Sequence, residues 1–292
     1  MTHILALIDG SVYTHSVCDH AAWAARQYNG DIELLHVLST QKSGALPTDL
    51  SGAIGLGARS SLLDDLVEHD ARTAQLDKER GRAILDAAQQ RLESQGIGNV
   101  SLALRTGEIA DSLVKRAGDL IVMGKRGEGA DFEKLHLGSN LERVVRAVHR
   151  PVLIASRTFK PIQHAVFAFD DGVSARKALD SLVLSPLADR PRITVFSVAD
   201  AGSDLARGGI AAAARLIEAG YEAVAKAQPG HAEKIIAEET ERDDADLLIM
   251  GAYGHSRIRS LIIGSTTTAL NRSCPIPLLL FRQYSVSQTL LA

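Results

Sequence analysis

Short apolar runs alternate with longer amphipathic stretches along the whole chain, the pattern of strands and covering helices in β-α-β units. Apolar runs near 3–9, 31–38, 99–105, 119–124 and 151–156 predict five strands in the first half, and runs near 163–170, 192–198, 221–227, 246–251 and 277–282 predict five in the second. Helical stretches fall near 12–28, 60–95, 108–117 and 138–148, then near 173–183, 204–219, 230–243 and 264–273. From Ser60 to Gln95 there is no Gly or Pro except Gly81, so a long helix is expected, with Gly81 as the place for a break. Segments such as Leu120-Ile121-Val122-Met123 and Leu247-Leu248-Ile249-Met250 are apolar at every position, as strands covered on both faces must be. The fold class is therefore α/β, with doubly wound, five-stranded parallel sheets. Gly44 to Ser61, rich in Gly, Ser and Ala, reads as a flexible loop or lid before the long helix.

The two halves repeat each other. Ile4 to Ser11 reads ILALIDGS and Val166 to Gly172 reads VFAFDDG, which pairs Asp9 with Asp170. Asp119 to Gly127 reads DLIVMGKRG and Asp246 to Gly254 reads DLLIMGAYG. Gly138-Ser139 then pairs with Gly264-Ser265, and Pro151-Val152-Leu153-Ile154 with Pro277-Leu278-Leu279-Leu280. Pro161 interrupts regular structure between the copies, so two domains are expected, 1–158 and 161–283.

Composition narrows the class. At 292 residues with 46% hydrophobic content, each copy is long enough to bury a core of its own. A net charge of −3 supplies no general attraction for polyanions, so nucleic acid is disfavoured as a partner. Cys18 and Cys274 lie far apart without neighbouring ligands, which suggests neither a disulfide framework nor a zinc site and fits a reduced, cytoplasmic setting. They read as small buried hydrophobes. The N-terminus has no signal-peptide pattern, and no apolar run approaches the roughly 18 residues that cross a bilayer, so no membrane association is expected.

In a doubly wound sheet, ligands bind beyond the carboxyl ends of the strands, where the strand order reverses. The repeated residues fall there: Asp170 ends the second copy's first strand, Gly251 ends its fourth, and Gly264-Ser265 opens its last helix. Glycines let an anion approach backbone N–H groups, and a helix N-terminus adds free donors and positive potential. Ser265 can cap that helix and donate to a phosphate oxygen. Asp9 and Asp170 either cap the following helices or contact a ligand, and His255 beside the loop is either a surface residue or a phosphate contact. Asp119 and Asp246 read as turn residues before the fourth strands.

Gly251-x-x-Gly254, nine residues, then Gly264-Ser265 resembles the ATP-binding loop of the universal stress protein family, and the tandem layout is similar to its two-domain members. The resemblance implies a Rossmann-like fold and ATP or a related adenine nucleotide as ligand, with Mg2+ as the accompanying ion. It implies a site in the second copy from Asp170, Val198, Gly251, Gly254, His255, Gly264, Ser265 and Thr266. In the first copy it implies Asp9, Val37, Gly124, Gly127, Gly138, Ser139 and Asn140. It further implies an intramolecular pseudo-dimer, a homodimer of such chains, and a regulatory protein partner. The first copy departs from the pattern. Its spacer has ten residues and carries Glu128, Asp131, Glu133 and Lys134, a balance of −2, against +2 from Arg257 and Arg259 in the second. Acids beside a triphosphate repel it unless a metal ion intervenes, so the second copy is expected to be the stronger site, Lys125 and Arg126 partly offsetting the deficit in the first.

Motifs for a P-loop, a dinucleotide fingerprint, a nucleophile elbow or a zinc protease are absent from the sequence, and no catalytic set is identified. Three functions remain open: a nucleotide-responsive stress-response regulator with at most slow hydrolysis, an interaction module of the same fold that binds no nucleotide, and a nucleotide-dependent enzyme using the Gly44–Ser61 lid.

Overall fold

A computed structural model describes residues 1–39, 56–125, 139–251 and 275–282. The first half runs β1 (His3–Leu7), α1 (Thr14–Tyr28), β2 (Asp31–Leu38), α2 (Leu56–Ser94), β3 (Val100–Thr106), α3 (Ile109–Val114), β4 (Leu120–Gly124), α4 (Ser139–Ala147) and β5 (Val152–Ala155). The second runs β6 (His164–Ala168), α5 (Val173–Leu184), β7 (Arg192–Ser197), α6 (Asp204–Glu218), β8 (Ala223–Ala227), α7 (Ala232–Arg242), β9 (Leu247–Gly251) and β10 (Leu278–Phe281). Each expected strand is found within two or three residues of its predicted ends. The expected helix at 264–273 and Cys274 lie outside the described residues.

The strands join one sheet in the order β3-β2-β1-β4-β5-β10-β9-β6-β7-β8. All pairings within a half are parallel. The seam between β5 and β10 is antiparallel, with Leu153 opposite Leu279, Val152 opposite Leu280 and Ile154 opposite Leu278. Counted outward from the seam, both halves have the order fifth, fourth, first, second, third strand. A two-fold axis through the Leu153–Leu279 pair therefore relates the copies.

The uniformly apolar strands are explained by layers on both faces. Ile4, Ala6, Phe167 and Phe281 belong to one buried cluster, to which α1 and α5 contribute; Leu5, Val166, Met250 and Leu280 belong to the other, with residues of α4 and α7. Each cluster draws on both halves and continues across the seam. Burying a side chain such as Phe167 or Ile121 is worth about 1.5–3 kcal/mol. On α1, Gln27 donates to Asp189 at 2.5 Å and accepts from the Asp189 backbone N–H at 3.0 Å, tying the first copy to the second. Cys18 is buried, as expected, and burial pushes its thiol up to about 12.

Asp119 and Asp246 are the turn residues they were expected to be. The Asp119 carboxylate accepts the His3 N–H at 2.8 Å, and Asp246 accepts those of Gln163 and His164 at 3.0 and 3.1 Å. Each one pins the start of a fourth strand to the start of a first.

Two expectations are corrected. Helix α2 does not break at Gly81 but runs unbroken for 39 residues. A Cβ at Gly81 would lie 2.8 Å from Leu104 Cδ1 and 2.9 Å from His36 Cδ2, so the glycine lets the helix approach β2 and β3 closely. The Gly44–Ser61 loop is shorter than expected, because residues 56–61 already belong to α2. Residues 44–55 lie outside the described residues.

Candidate functional site

Strand order reverses between β1 and β4 in the first copy and between β6 and β9 in the second, since the chain adds strands on one side of the first strand and then crosses to the other. Ala6 is in register with Val122, and Ala168 with Met250. The strand-one acids and the strand-four glycines thus emerge side by side at the carboxyl edge of the sheet.

Asp9 and Asp170 build the same turn. Asp9 Oδ1 accepts the Ser11 N–H at 3.0 Å, and Asp170 Oδ1 accepts the Gly172 N–H at 3.0 Å. Neither is the N-cap considered from the sequence: Tyr13 and Gly172 occupy those positions, with no side-chain cap bond. The acid acts earlier, four residues before Tyr13 in the first copy and two before the N-cap in the second, folding the backbone so that the helix can begin. The intervening residue is left-handed in both copies, Gly10 at φ 77° and Asp171 at φ 55°. Asp171 is held by Arg176, which donates from Nε at 2.8 Å and Nη2 at 2.9 Å. These bonds hold the Asp171 carboxyl below its usual range despite some burial.

Gly251 ends β9 directly against the first turn of α5. A Cβ there would lie 2.8 Å from Ser174 Cβ and 3.1 Å from the Ala175 backbone nitrogen. The absent side chain brings strand end and helix start together, and the unpaired N–H groups of a helix start are suited to an anion. Val37 and Val198 follow the buried ends of their second strands and are half-buried. In the first copy Gly124 ends β4, Ser139 opens α4 and Asn140 is exposed. Gly127, Gly138, Gly254, His255, Gly264, Ser265 and Thr266 lie outside the described residues.

Lys125 does not simply offset the acidic spacer. Its amine donates to the carbonyl of Ile276 at 2.9 Å, across the seam. Sequence reasoning also missed the residue before each valine. His36 is buried and its Nδ1 bonds the Ile8 carbonyl at 2.7 Å, joining the ends of β1 and β2. Its counterpart Ser197 is buried with a hydroxyl that has no partner among the described residues, and a Cβ at Gly209 would lie 2.8 Å from it. One histidine inside an apolar strand carries no spacing signal; only the structural equivalence of the copies exposes the pair. Among the described residues, no group of three or more His, Cys, Asp or Glu is arranged to hold a metal ion, and no helix is long and apolar enough to cross a membrane.

Two doubly wound copies, each with an acid turn and a glycine at its switch point, define a tandem, Rossmann-like α/β protein. The model of the Universal stress protein family matches residues 1–156 and 161–282, and the chain belongs to that family. A universal stress protein of Synechocystis sp. is 38% identical over 288 residues, covering 97% of this chain and all (100%) of the relative. A universal stress protein of Methanocaldococcus jannaschii is 28% identical over 157 residues, 52% of this chain and 80% of the relative. A crystal structure of a universal stress protein from Archaeoglobus fulgidus shares the fold, with a TM-score of 0.68, 21% identity and coverage of 97% and 96% of the two chains.

Proposed function

We propose that this chain binds ATP or a related adenine nucleotide and acts as a nucleotide-responsive regulator, with its principal site in the second copy. The observation that carries this reading is the position of the strand-one acid and the strand-four glycine on adjacent strands at the reversal of strand order, in both copies. The spacer of the second loop adds two arginines and no acid, while Lys125 of the first is engaged at the seam. Opposite charge near the phosphates favours the second site. The phosphates fall to Gly254, Gly264, Ser265 and Thr266, with His255 beside them, and the adenosine end to Asp170 and Val198. The first copy contributes the weaker set, and Mg2+ accompanies the nucleotide where acidic residues approach it. The sequence carries no P-loop or other recognised catalytic motif, and hydrolysis is read as slow at most. Domains 1–158 and 161–283, cytoplasmic residence and a regulatory protein partner complete the reading.

The test is calorimetric titration of ATP into the intact chain and into the Gly251→Ala/Gly264→Val and Gly124→Ala/Gly138→Val variants, with folding followed by circular dichroism. The expected result is binding by the intact chain that is largely lost in the first variant and mostly kept in the second. No binding by the intact, folded chain overturns the proposal and leaves an interaction module.

A further inference from the structure

Helices α2 and α6 end alike. Gly96 and Gly220 are left-handed, at φ 82° and 89°, and donate to the carbonyls of Glu93 and Ile217 at 2.9 Å each; Ile97 and Tyr221 then donate to those of Leu92 and Leu216 at 3.0 Å each. The shared cap sets the two helices in register, Glu93 with Ile217, Gln90 with Ala214 and Asp86 with Ile210. The inward faces agree with it, Leu85, Ala88 and Leu92 being buried like Gly209, Ala212 and Leu216. The outward faces differ. All six residues of the outer stripe are exposed, but where the first copy is polar the second has Ile210 at 61% and Ile217 at 55% exposure, two turns apart with Ala214 between them.

The charges beside this stripe run against their own helix. Arg207 stands in the first turn of α6, where the helix dipole opposes a cation, and Glu218 is its last residue, where the dipole opposes an anion. Arg207 turns to Asp204 and to the Gly202 carbonyl, which uses two of its five donors. Arg215, the cation three residues before Glu218, is held instead by Asp180 of α5 at 2.8 Å. We propose that this face of α6 docks a second copy of the chain, the two α6 helices lying antiparallel about a two-fold axis near Ala214. A face that pairs with itself must carry its own complement, residue i meeting j while j meets i. Reversing α6 about that point sets Ile210 against the partner's Ile217 and Arg207 against the partner's Glu218, each contact occurring twice. Both charges then lie at the end of the facing helix whose dipole favours them. Ala214, on the axis, is small enough for the helices to approach to about 8 Å. In the first copy the same reversal would set Asp86 against Glu93, two like charges, so the face is particular to the second copy. With 15 residues in each α6, the two helices bury less than the roughly 1,200 Å2 of a standard interface, so the pair is reversible.

The test is sedimentation velocity of the full chain without nucleotide, from about 1 to 300 µM. The intact chain is expected to pass reversibly from monomer to dimer over that range. Ile210→Glu, an exposed change that circular dichroism should show to leave the fold intact, is expected to weaken the dimer at least about 10-fold. Leu76→Glu, at an exposed apolar position of α2, should change it less than about 2-fold. Arg207→Glu and Glu218→Arg should each weaken self-association about 3- to 10-fold. An equimolar mixture of these two variants should regain the dimer of the intact chain, because opposite charges then meet at both ends of the contact. Mixing cannot repair a helix that a substitution has merely loosened. A monomer throughout the range overturns the proposal. So does a dimer that survives Ile210→Glu, one that Leu76→Glu breaks as readily, or a mixture that associates no better than its components.

Discussion

Gly10 and Asp171 stand at the same place in the two copies and share one backbone conformation, both being left-handed. An L side chain pays about 1–2 kcal/mol there, aspartate less than most because its short polar side chain can bond locally. Gly10 is doubly constrained, since a Cβ would lie 2.7 Å from Ile84 Cδ1. Gly10→Ala is expected to destabilise by about 1–3 kcal/mol in urea unfolding, while Asp171→Gly is nearly neutral, relief of strain offsetting the loss of the Arg176 bonds. The larger loss in Asp171→Gly would refute this account. His20 offers a pH test. It is fully buried; its Nδ1 bonds the Ser16 carbonyl at 2.7 Å, its Nε2 has no partner among the described residues, and its ring meets Phe159 edge-on. Burial lowers its pKa, outweighing the bond to Ser16 and the nearby Asp19. The neutral ring is therefore the native form. Its contribution is complete above the unfolded value of about 6.5 and is lost as the pH falls below it, because the unfolded chain then takes up a proton that the native chain refuses. His20→Gln should flatten the wild-type loss of urea midpoint between pH 7 and 5, and an unchanged slope would exclude His20 as its source. Asp9 and Asp170 were legible as a repeated pair, but their part in the turn was not, because an N-cap and a turn acid a few residues before it look alike until the backbone angles are known.

At the scale of elements, the apolar runs located every described strand, the central ones because burial on both faces leaves a run that no loop needs and the edge strands β3 and β8 although much of each is exposed. The error at Gly81 has a physical origin. Propensity is a local quantity, and the reason for this glycine is the closeness of Leu104 and His36, which belong to other elements. The same contact settles the sign of a substitution. Gly81→Ala gains about 1 kcal/mol of helix propensity, yet the new methyl meets a His36 ring anchored by its bond to Ile8. Net destabilisation of about 1–2 kcal/mol is expected from overpacking, read as a lower urea midpoint; a higher one would show that the helix can shift. Before Gly81, residues 67–80 of α2 are exposed on every side, including Val67 and Leu76. Helix formers such as Ala, Leu, Arg and Glu, and pairs such as Gln75 with Glu79 at 3.0 Å, hold that stretch helical without a layer to cover. Among the residues whose burial is described, contact with the sheet begins at Gly81.

For the whole molecule, the repeat was legible and the seam was not, because matching copies say nothing about which strand edge each presents to the other. The Pro-Val-Leu-Ile and Pro-Leu-Leu-Leu runs mark two last strands; that they pair with each other, antiparallel about Leu153 and Leu279, appears only in the structure. With both apolar layers continuous across that pair, the intact chain is expected to unfold in one cooperative transition, calorimetric and van't Hoff enthalpies agreeing. Two resolved transitions would show that the shared layers do not couple the copies. Expressed separately, 1–158 and 161–283 each expose an unpaired apolar strand edge, so each should dimerise or aggregate, and mixing them should restore a one-to-one complex by sedimentation. Stable, separate monomers would show the seam to be dispensable. A symmetric dimer of identical chains must carry every mutation twice, once on each side of its axis. Joining the two sides end to end removes that obligation: the short link from Ala155 to His164 keeps the partners together at any dilution, and each copy is then free to change alone. Glycine facing aspartate and histidine facing serine across one axis are differences that such freedom permits and that a dimer of identical chains cannot hold.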